Sequence, residues 1–281
     1  MPMDAGRARL VLGARLRKLR QGSGASRGDA IRVIRGSASK LSRLESGRVR
    51  VKPRDLVGLL TLYGVDDETE RAALLALADP ASAAGWWREY GDAVPSWLEH
   101  YLDLEQAATL IRTYEVEVVP GLLQTEDYAR AVFRQVCPDE PPRETDQRVA
   151  LRMARQRMVF ADDRVRLWAL IDEASLLRPV GGASVMAAQI RRLIEAARLP
   201  NVTLQVLPLS VGARVSGAGC CTLLRFAETE LPDVVFLEQL RTAVYLTKPA
   251  DTEPYRDLLD LLVTEAQPPA ATMAALTRLV A

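Results

Sequence analysis

Apolar residues recur at helical spacing through the first sixty positions. Leu12, Leu16 and Leu19 mark one face of a first helix. Ser26 is placed to cap a second, with Ala30, Val33 and Ile34 on its inner face. Arg35-Gly36-Ser37 makes a tight break. Over 38–46, Leu41 and Leu44 sit three apart and form a thin apolar seam, while Ser39, Lys40, Ser42 and Arg43 fill the positions around them. Gly47 stands where such a helix stops. Pro53 suits the first turn of a fourth helix, with Leu56, Leu59, Leu60 and Tyr63 facing inward.

Beyond Val65 comes an acidic helix, "DDETERAALLALADP", and then an Ala/Ser/Gly-rich stretch that places a domain junction near 80–85. The pattern then changes. "VRLWALID" reads as a buried strand, and "NVTLQVLPL" alternates Val202, Leu204 and Val206 against Thr203 and Gln205. "CTLLRF" and "DVVFLEQL" are two further strands around the turn-like "AETELPD". A long helix runs from near Arg143 to Phe160, with Val149, Met153 and Gln156 marking its surface stripe. "SVMAAQIRRLIEAARL", "YRDLLDLLVTEA" and "TMAALTRLV" are helical, the last two split by Pro268-Pro269. The predicted architecture is a mainly α N-terminal helix-turn-helix domain of four or five short helices (1–80), followed by an α+β C-terminal domain (81–281).

Charge sharpens this division. Residues 1–62 carry fifteen Lys and Arg against four acids, a balance of +11, and the rest of the chain is −10. A basic head on an acidic body points to a polyanion partner for the head. Within a helix-turn-helix, the third helix presents its polar face to a major groove of double-stranded DNA while its leucines hold it on the core. Ala38, Ser39, Lys40, Ser42 and Arg43 are the candidate groove residues. Arg27, Arg48, Arg50 and Lys52 flank them at positions suited to phosphates.

Residues 10–64 resemble the XRE-type helix-turn-helix of phage and bacterial repressors, in "LGARLRKLR", "SKLSRLESG" and "PRDLVGLLTLYGV". That family commonly has Gln at the start of the second helix and near the start of the third, where this chain has Arg27 and Ala38. Alanine makes no bidentate hydrogen bond to adenine. Farther along, "WWxEY", "YLDLE", "YExEVVPGLLQTxDYARA" and "LPNVTLQVLP" resemble the C-terminal domain of actinobacterial XRE-type regulators of the WhiJ-like group. The resemblance implies a transcription regulator, often paired with a small partner protein encoded nearby, and supplies no catalytic residues.

Candidate ligand chemistry lies in the body. Trp86, Trp87, Tyr90, Trp97 and Tyr101 form a dense aromatic cluster. It reads either as core and interdomain anchor or as the lining of a small-molecule pocket. Gln124, Arg112 and Tyr114 are candidates for a recognition cleft. "VPGLLQTEDYAR" also has a structural account: a Pro120-Gly121 turn, a Thr125 N-cap, and Glu126-Asp127 in the first helical turn. Two roles stay open for the body, an interaction module that holds a homodimer or partner protein, and a domain that senses a small-molecule effector.

Enzymatic chemistry finds little support. The sole histidine, His100, reads as structural, and no nucleophile elbow, HExxH or P-loop occurs. The glycines of "RPVGG" and "VSGAG" lack dinucleotide-binding spacing, and Asp162-Asp163 and Asp172-Glu173 read as turns or a strand end. Cys137, Cys220 and Cys221 form neither a disulfide framework nor a zinc pattern. No cofactor, metal or catalytic residue is expected. The chain has no run of eighteen apolar residues and no signal-peptide pattern, so no membrane association is expected and the expected location is cytoplasmic.

Overall fold

The computed structural model describes residues 5–78, 86–161, 164–215 and 219–280. The junction expected near 80–85, the Asp162-Asp163 pair and most of "VSGAG" lie outside the described residues. Two units are defined. One comprises the residues up to Arg88 together with Ala227–Leu231, and the other comprises Glu89–Phe226 and the chain from Pro232.

The first unit is helical: α1 (Ala5–Ser23), α2 (Arg27–Val33), α3 (Ala38–Glu45), α4 (Pro53–Leu62) and α5 (Glu68–Ala76). Its caps are written in the sequence. Ser26 Oγ accepts from Asp29 N at 3.1 Å while Ser26 N donates to the Asp29 carboxylate at 3.2 Å, a reciprocal capping box. Ser37 caps α3 by accepting from Lys40 N, and Pro53 begins α4. One buried core joins Leu12, Leu16, Ala30, Ile34, Leu41, Leu44, Leu56, Leu59 and Leu60. The inward positions read from the sequence are therefore the ones that pack.

Two glycines bring α3 against α1. Gly47 has φ +69°, and the amides of Gly47 and Arg48 donate to the carbonyls of Leu44 and Arg43 at 3.1 and 2.9 Å. This is a Schellman closure of α3. A Cβ on Gly13 would lie 2.5 Å from the Leu44 carbonyl oxygen and 2.7 Å from the Gly47 nitrogen. Arg20 closes the same contact with two bonds to Glu45, at 2.6 and 3.1 Å. In the α2–α3 turn, Arg35 takes φ +45°, a left-handed conformation usually left to glycine.

The second unit is α+β. A 3₁₀ segment (Trp86–Ala93) leads in from the first unit, and the chain continues through α6 (Ser96–Ala107), β1 (Leu110–Glu115), α7 (Glu126–Val136), α8 (Pro142–Phe160), β2 (Arg166–Asp172), α9 (Glu173–Leu177), α10 (Ala183–Ala196) and β3 (Val202–Leu207). It then runs through β4 (Cys221–Arg225), β5 (Val234–Gln239), β6 (Thr242–Leu246), α11 (Pro249–Glu265) and α12 (Pro269–Leu279). The six strands form one mixed sheet in the order β3-β2-β1-β4-β5-β6. β1, β2 and β3 are parallel, and the β1–β4, β4–β5 and β5–β6 pairs are antiparallel.

Sequence reading assigns no strand to "LIRTYE", yet β1 lies near the middle of this sheet. Its polar residues interrupt the apolar run that marks a buried strand, and each finds a partner. Arg112 Nη1 donates to Asp260 of α11 at 2.7 Å, and the Thr113 and Thr222 hydroxyls are 3.0 Å apart. The Tyr114 hydroxyl donates to Asp172 at 3.3 Å. Strand alternation sends Tyr114 to the core beneath α11, with Leu170, Leu223, Val235, Leu259 and Leu262. Ile111, Thr113 and Glu115 take the opposite face.

Gln205 corrects a simpler picture of β3. The alternation in "NVTLQVLPL" is real, but its polar row is partly covered. Gln205 is buried, accepts from Trp168 Nε1 at 2.8 Å, and donates to the carbonyls of Val263 and Gln267. At the other end of the sheet, Phe236 of β5 lies between Tyr101 and Tyr245, with ring centroids 4.1 and 5.3 Å away, and His100 rests on Tyr245 at 5.0 Å.

Candidate functional site

In the head, the buried positions of α3 settle which side chains face outward. Leu41 and Leu44 are fully covered. Ala38, Ser39, Ser42 and Arg43 are exposed, and their i, i+1, i+4, i+5 spacing places them on one helical face. Lys40 belongs to a different set. Its ammonium donates to the Ile34 carbonyl at 2.8 Å and to Asp55 at 2.9 Å, so it ties α3 to the preceding turn and to α4. Arg27 is exposed at the first position of α2, and Arg48, Arg50 and Lys52 are exposed along the α3–α4 connection. Arg54, in the first turn of α4, is an exposed cation beside this set that sequence reading did not single out. Its signal was its place next to the Pro53 start.

The seven candidate ligand residues do not form one site. Trp86 and Trp87 belong to the first unit. In the second unit, a cavity of about 570 Å³ is lined by Trp97 and Gln124 from that set, and that unit's Tyr90, Arg112 and Tyr114 do not line it. Period-2 alternation gives the reason for the last two. Arg112 and Tyr114 point to the α11 face, where Arg112 lies 5.3 Å from the Trp168 ring, whereas Thr113 and Glu115 line the cavity.

The cavity wall facing the sheet comes from α8. Arg148, Arg152 and Arg155 recur at i, i+4 and i+7 and all line it. The sequence pattern places Val149, Met153 and Gln156 on the surface of this helix, but in the fold Val149 and Gln156 are buried. The adjacent arginine stripe is the one that meets the cavity. Its periodicity is legible in "RVALRMARQR", and nothing local says that β1 and β5 stand across from it.

The three arginines differ in their partners. Arg155 makes two bonds to the buried carboxylate of Glu105, at 3.0 and 2.8 Å. Burial works against its charge, but Glu105 overcomes this and holds its pKa above the usual arginine value. Arg148 pairs with Glu140 at 2.9 Å. Arg152 has no carboxylate partner among the described residues. Its Nη1 donates to Gln124 Oε1 at 2.6 Å, and its Nε is buried without a hydrogen-bond partner. Burial, followed by Arg155 nearby, pushes its pKa below the usual arginine value. Gln124 is in turn fixed by donating to the Val119 carbonyl at 2.7 Å. Arg148 and Arg152 each place a guanidinium over the Phe133 ring, 4.2 and 4.3 Å from its centroid.

Glu115 faces the same cavity, with its pKa pushed up to about 7 by burial despite a hydrogen bond from the Cys220 thiol. Glu238 raises it further, Arg152 opposes, and Glu117 adds a smaller push upward. A carboxyl that binds its proton more tightly when folded adds stability at low pH. That stability is lost as pH rises from the ordinary glutamate range through about 7. Glu115→Gln is therefore expected to be more stable than the native chain by roughly 2 kcal/mol at pH 8, with the advantage shrinking toward pH 5. Urea unfolding at both pH values checks this, and parallel profiles for the two proteins would refute it. Cys220 and Cys221 are both raised, to about 11 and about 12, chiefly by burial, so their thiols stay protonated near neutrality.

Among the described residues no group of three or more His, Cys, Asp or Glu is arranged to hold a metal ion, and no helix is long and apolar enough to cross a membrane.

The exposed face of α3 above its leucine seam is the feature of a DNA-binding regulator, and the family described as helix-turn-helix domain matches residues 11–74. The family described as domain of unknown function (DUF5753) matches residues 98–278, which takes in the sheet and the cavity. The chain belongs to this DUF5753 family. Neither a curated protein nor a solved structure matches the chain.

Proposed function

We propose that this protein is a sequence-specific transcriptional regulator of the WhiJ-like actinobacterial group, working in the cytoplasm as a homodimer and without enzymatic activity. The observation that carries the reading is the row Ala38, Ser39, Ser42 and Arg43, exposed on a helix whose Leu41 and Leu44 are fully buried. That row enters the major groove, and Arg27, Arg48, Arg50 and Lys52 hold phosphates on either side. Arg43→Ala is expected to cost about 1–3 kcal/mol of affinity and to relax sequence preference, the signature of a lost base contact. Lys52→Ala should instead weaken all sequences alike. Selection from a random duplex library followed by titration of both variants reads the difference. An Arg43→Ala protein with unchanged affinity and unchanged preference rules the base-reading role out.

One helix-turn-helix covers only a few base pairs. Two copies related by a two-fold axis read half-sites about 34 Å apart and call for an inverted repeat. The C-terminal domain, which holds most of the chain, is the proposed dimer contact and the docking place of a small partner protein. Sedimentation at micromolar concentration is expected to give a dimer. A strict monomer that protects a single asymmetric site overturns that part of the reading.

The cavity favours a second role for the C-terminal domain, that of a small-molecule sensor. Its volume falls in the range of ligand sites, and Trp97, Tyr101, Phe133 and Phe236 give it aromatic walls. An effector seated there shifts the affinity of the head for its operator.

A further inference from the structure

We infer that the cavity of the second unit takes a small organic monoanion, with its acid group on Arg152 and its apolar body against the aromatic wall. This rests on the sensor reading above and adds the chemistry of the effector. The argument begins with charge. Arg148, Arg152 and Arg155 share one face of α8, and two carboxylates pair with them, Glu140 with Arg148 and Glu105 with Arg155. Arg152 is left over. A half-buried guanidinium beside two others is costly unless an anion compensates it.

Its hydrogen bonding gives the direction of approach. Gln124 occupies Nη1, and Gln124 is itself locked to Val119. The Nε and Nη2 edge has no hydrogen-bond partner among the described residues. An acid group on that edge meets two parallel N–H donors, the side-on form of the guanidinium fork. Glu115 is a carboxyl inside the cavity, but it makes no ion pair with Arg152, and burial pushes its pKa up to about 7, which weakens it as a counter-charge. Glu117 and Glu238 also line the cavity but are exposed, and water screens them. Acids there disfavour a heavily charged polyanion and tolerate a single negative charge. An apolar part of the wall lies alongside: Phe236 from β5, Trp97, Leu98 and Tyr101 from α6, and Val132 from α7. They suit a flat or aliphatic body with one acid group.

The test uses the full chain with benzoate, indole-3-acetate and hexanoate as probes, and benzamide as the uncharged counterpart of benzoate. Titration calorimetry is expected to show saturable binding of at least one acid, with benzamide weaker than benzoate by about tenfold or more. Arg152→Gln should lose the acid by a similar factor, and Arg152→Lys, which keeps the charge without the fork, should fall between. Far-ultraviolet circular dichroism and the melting temperature report whether each variant is folded. A chemical-shift map of the native chain keeps the test decisive if Arg152→Gln unfolds, since the perturbed amides must lie along the cavity lining on α6, β1, α7, α8, β4 and β5. Absence of saturable binding by all three acids overturns the inference. So does equal affinity for benzamide, unchanged binding by a folded Arg152→Gln protein, or shifts located elsewhere. DNA titration in saturating probe separates this from the sensor reading. An acid that binds at Arg152 and leaves DNA affinity unchanged removes the sensor role and keeps the anion site. A binding benzamide that shifts DNA affinity does the reverse.

Discussion

Glu105→Ala is expected to destabilise the second unit by about 3–5 kcal/mol, the scale of a buried ion pair broken on one side. Glu105 is 2% exposed in α6, and its two oxygens hold the Arg155 fork. The loss is mostly the cost of leaving Arg155 unpaired, where the Tyr101 ring 5.3 Å away cannot replace a carboxylate. Replacing Arg155 by Met as well should recover much of the stability, because an apolar pair of similar volume needs no counter-charge. Urea denaturation followed by tryptophan fluorescence measures both proteins. A loss under 1 kcal/mol for the single variant would show that water reaches Arg155 and screens it.

Leu41→Ala is the second large effect. Leu41 has no exposed surface and sits in the core with Leu44, Leu56 and Leu59. Truncation is expected to cost the head about 2–5 kcal/mol, from lost transfer energy and the cavity left behind. Because α3 spans only Ala38–Glu45 and has two fully buried leucines, DNA binding should fail together with its stability. Hydrogen exchange reads this directly. Amides of α3 should exchange far faster in the variant, and unchanged protection would show that α3 is held by its polar anchors alone.

The helical head was legible because its information is local. Leucine spacing, Ser26 as a cap, Pro53 at a helix start and Gly47 at a stop all act within one or two turns, and all recur in the fold. The inward turn of Lys40 was not legible, since Asp55 lies fifteen residues away and spacing on α3 alone marks position 40 as polar. In the body, the strands and helices rich in apolar residues were read from their pattern. β1 and β6 were not, because "LIRTYE" and "TAVYL" are short or polar and become strands through their neighbours in the sheet. The cavity was the least legible feature. Trp97 and Gln124 were singled out, but Arg152 and Glu115 meet only when β1, α8 and β5 converge. Arg112 and Tyr114 were misplaced by one step of the pleat, which is enough to put a side chain on the opposite face.

The near contact of Gly13 with the end of α3 separates two jobs on one short helix. Orientation is set by backbone touching backbone, by Glu45 on Arg20, and by Lys40 on Asp55. None of these involves Ala38, Ser39, Ser42 or Arg43. Holding is thus assigned to other residues than those four, so on the proposed reading substitutions among the four exposed positions are expected to change which operator is brought into contact at little cost to the fold. The proposed role thus lets one scaffold carry many address codes, while positions 13 and 47 stay closed to every residue but glycine.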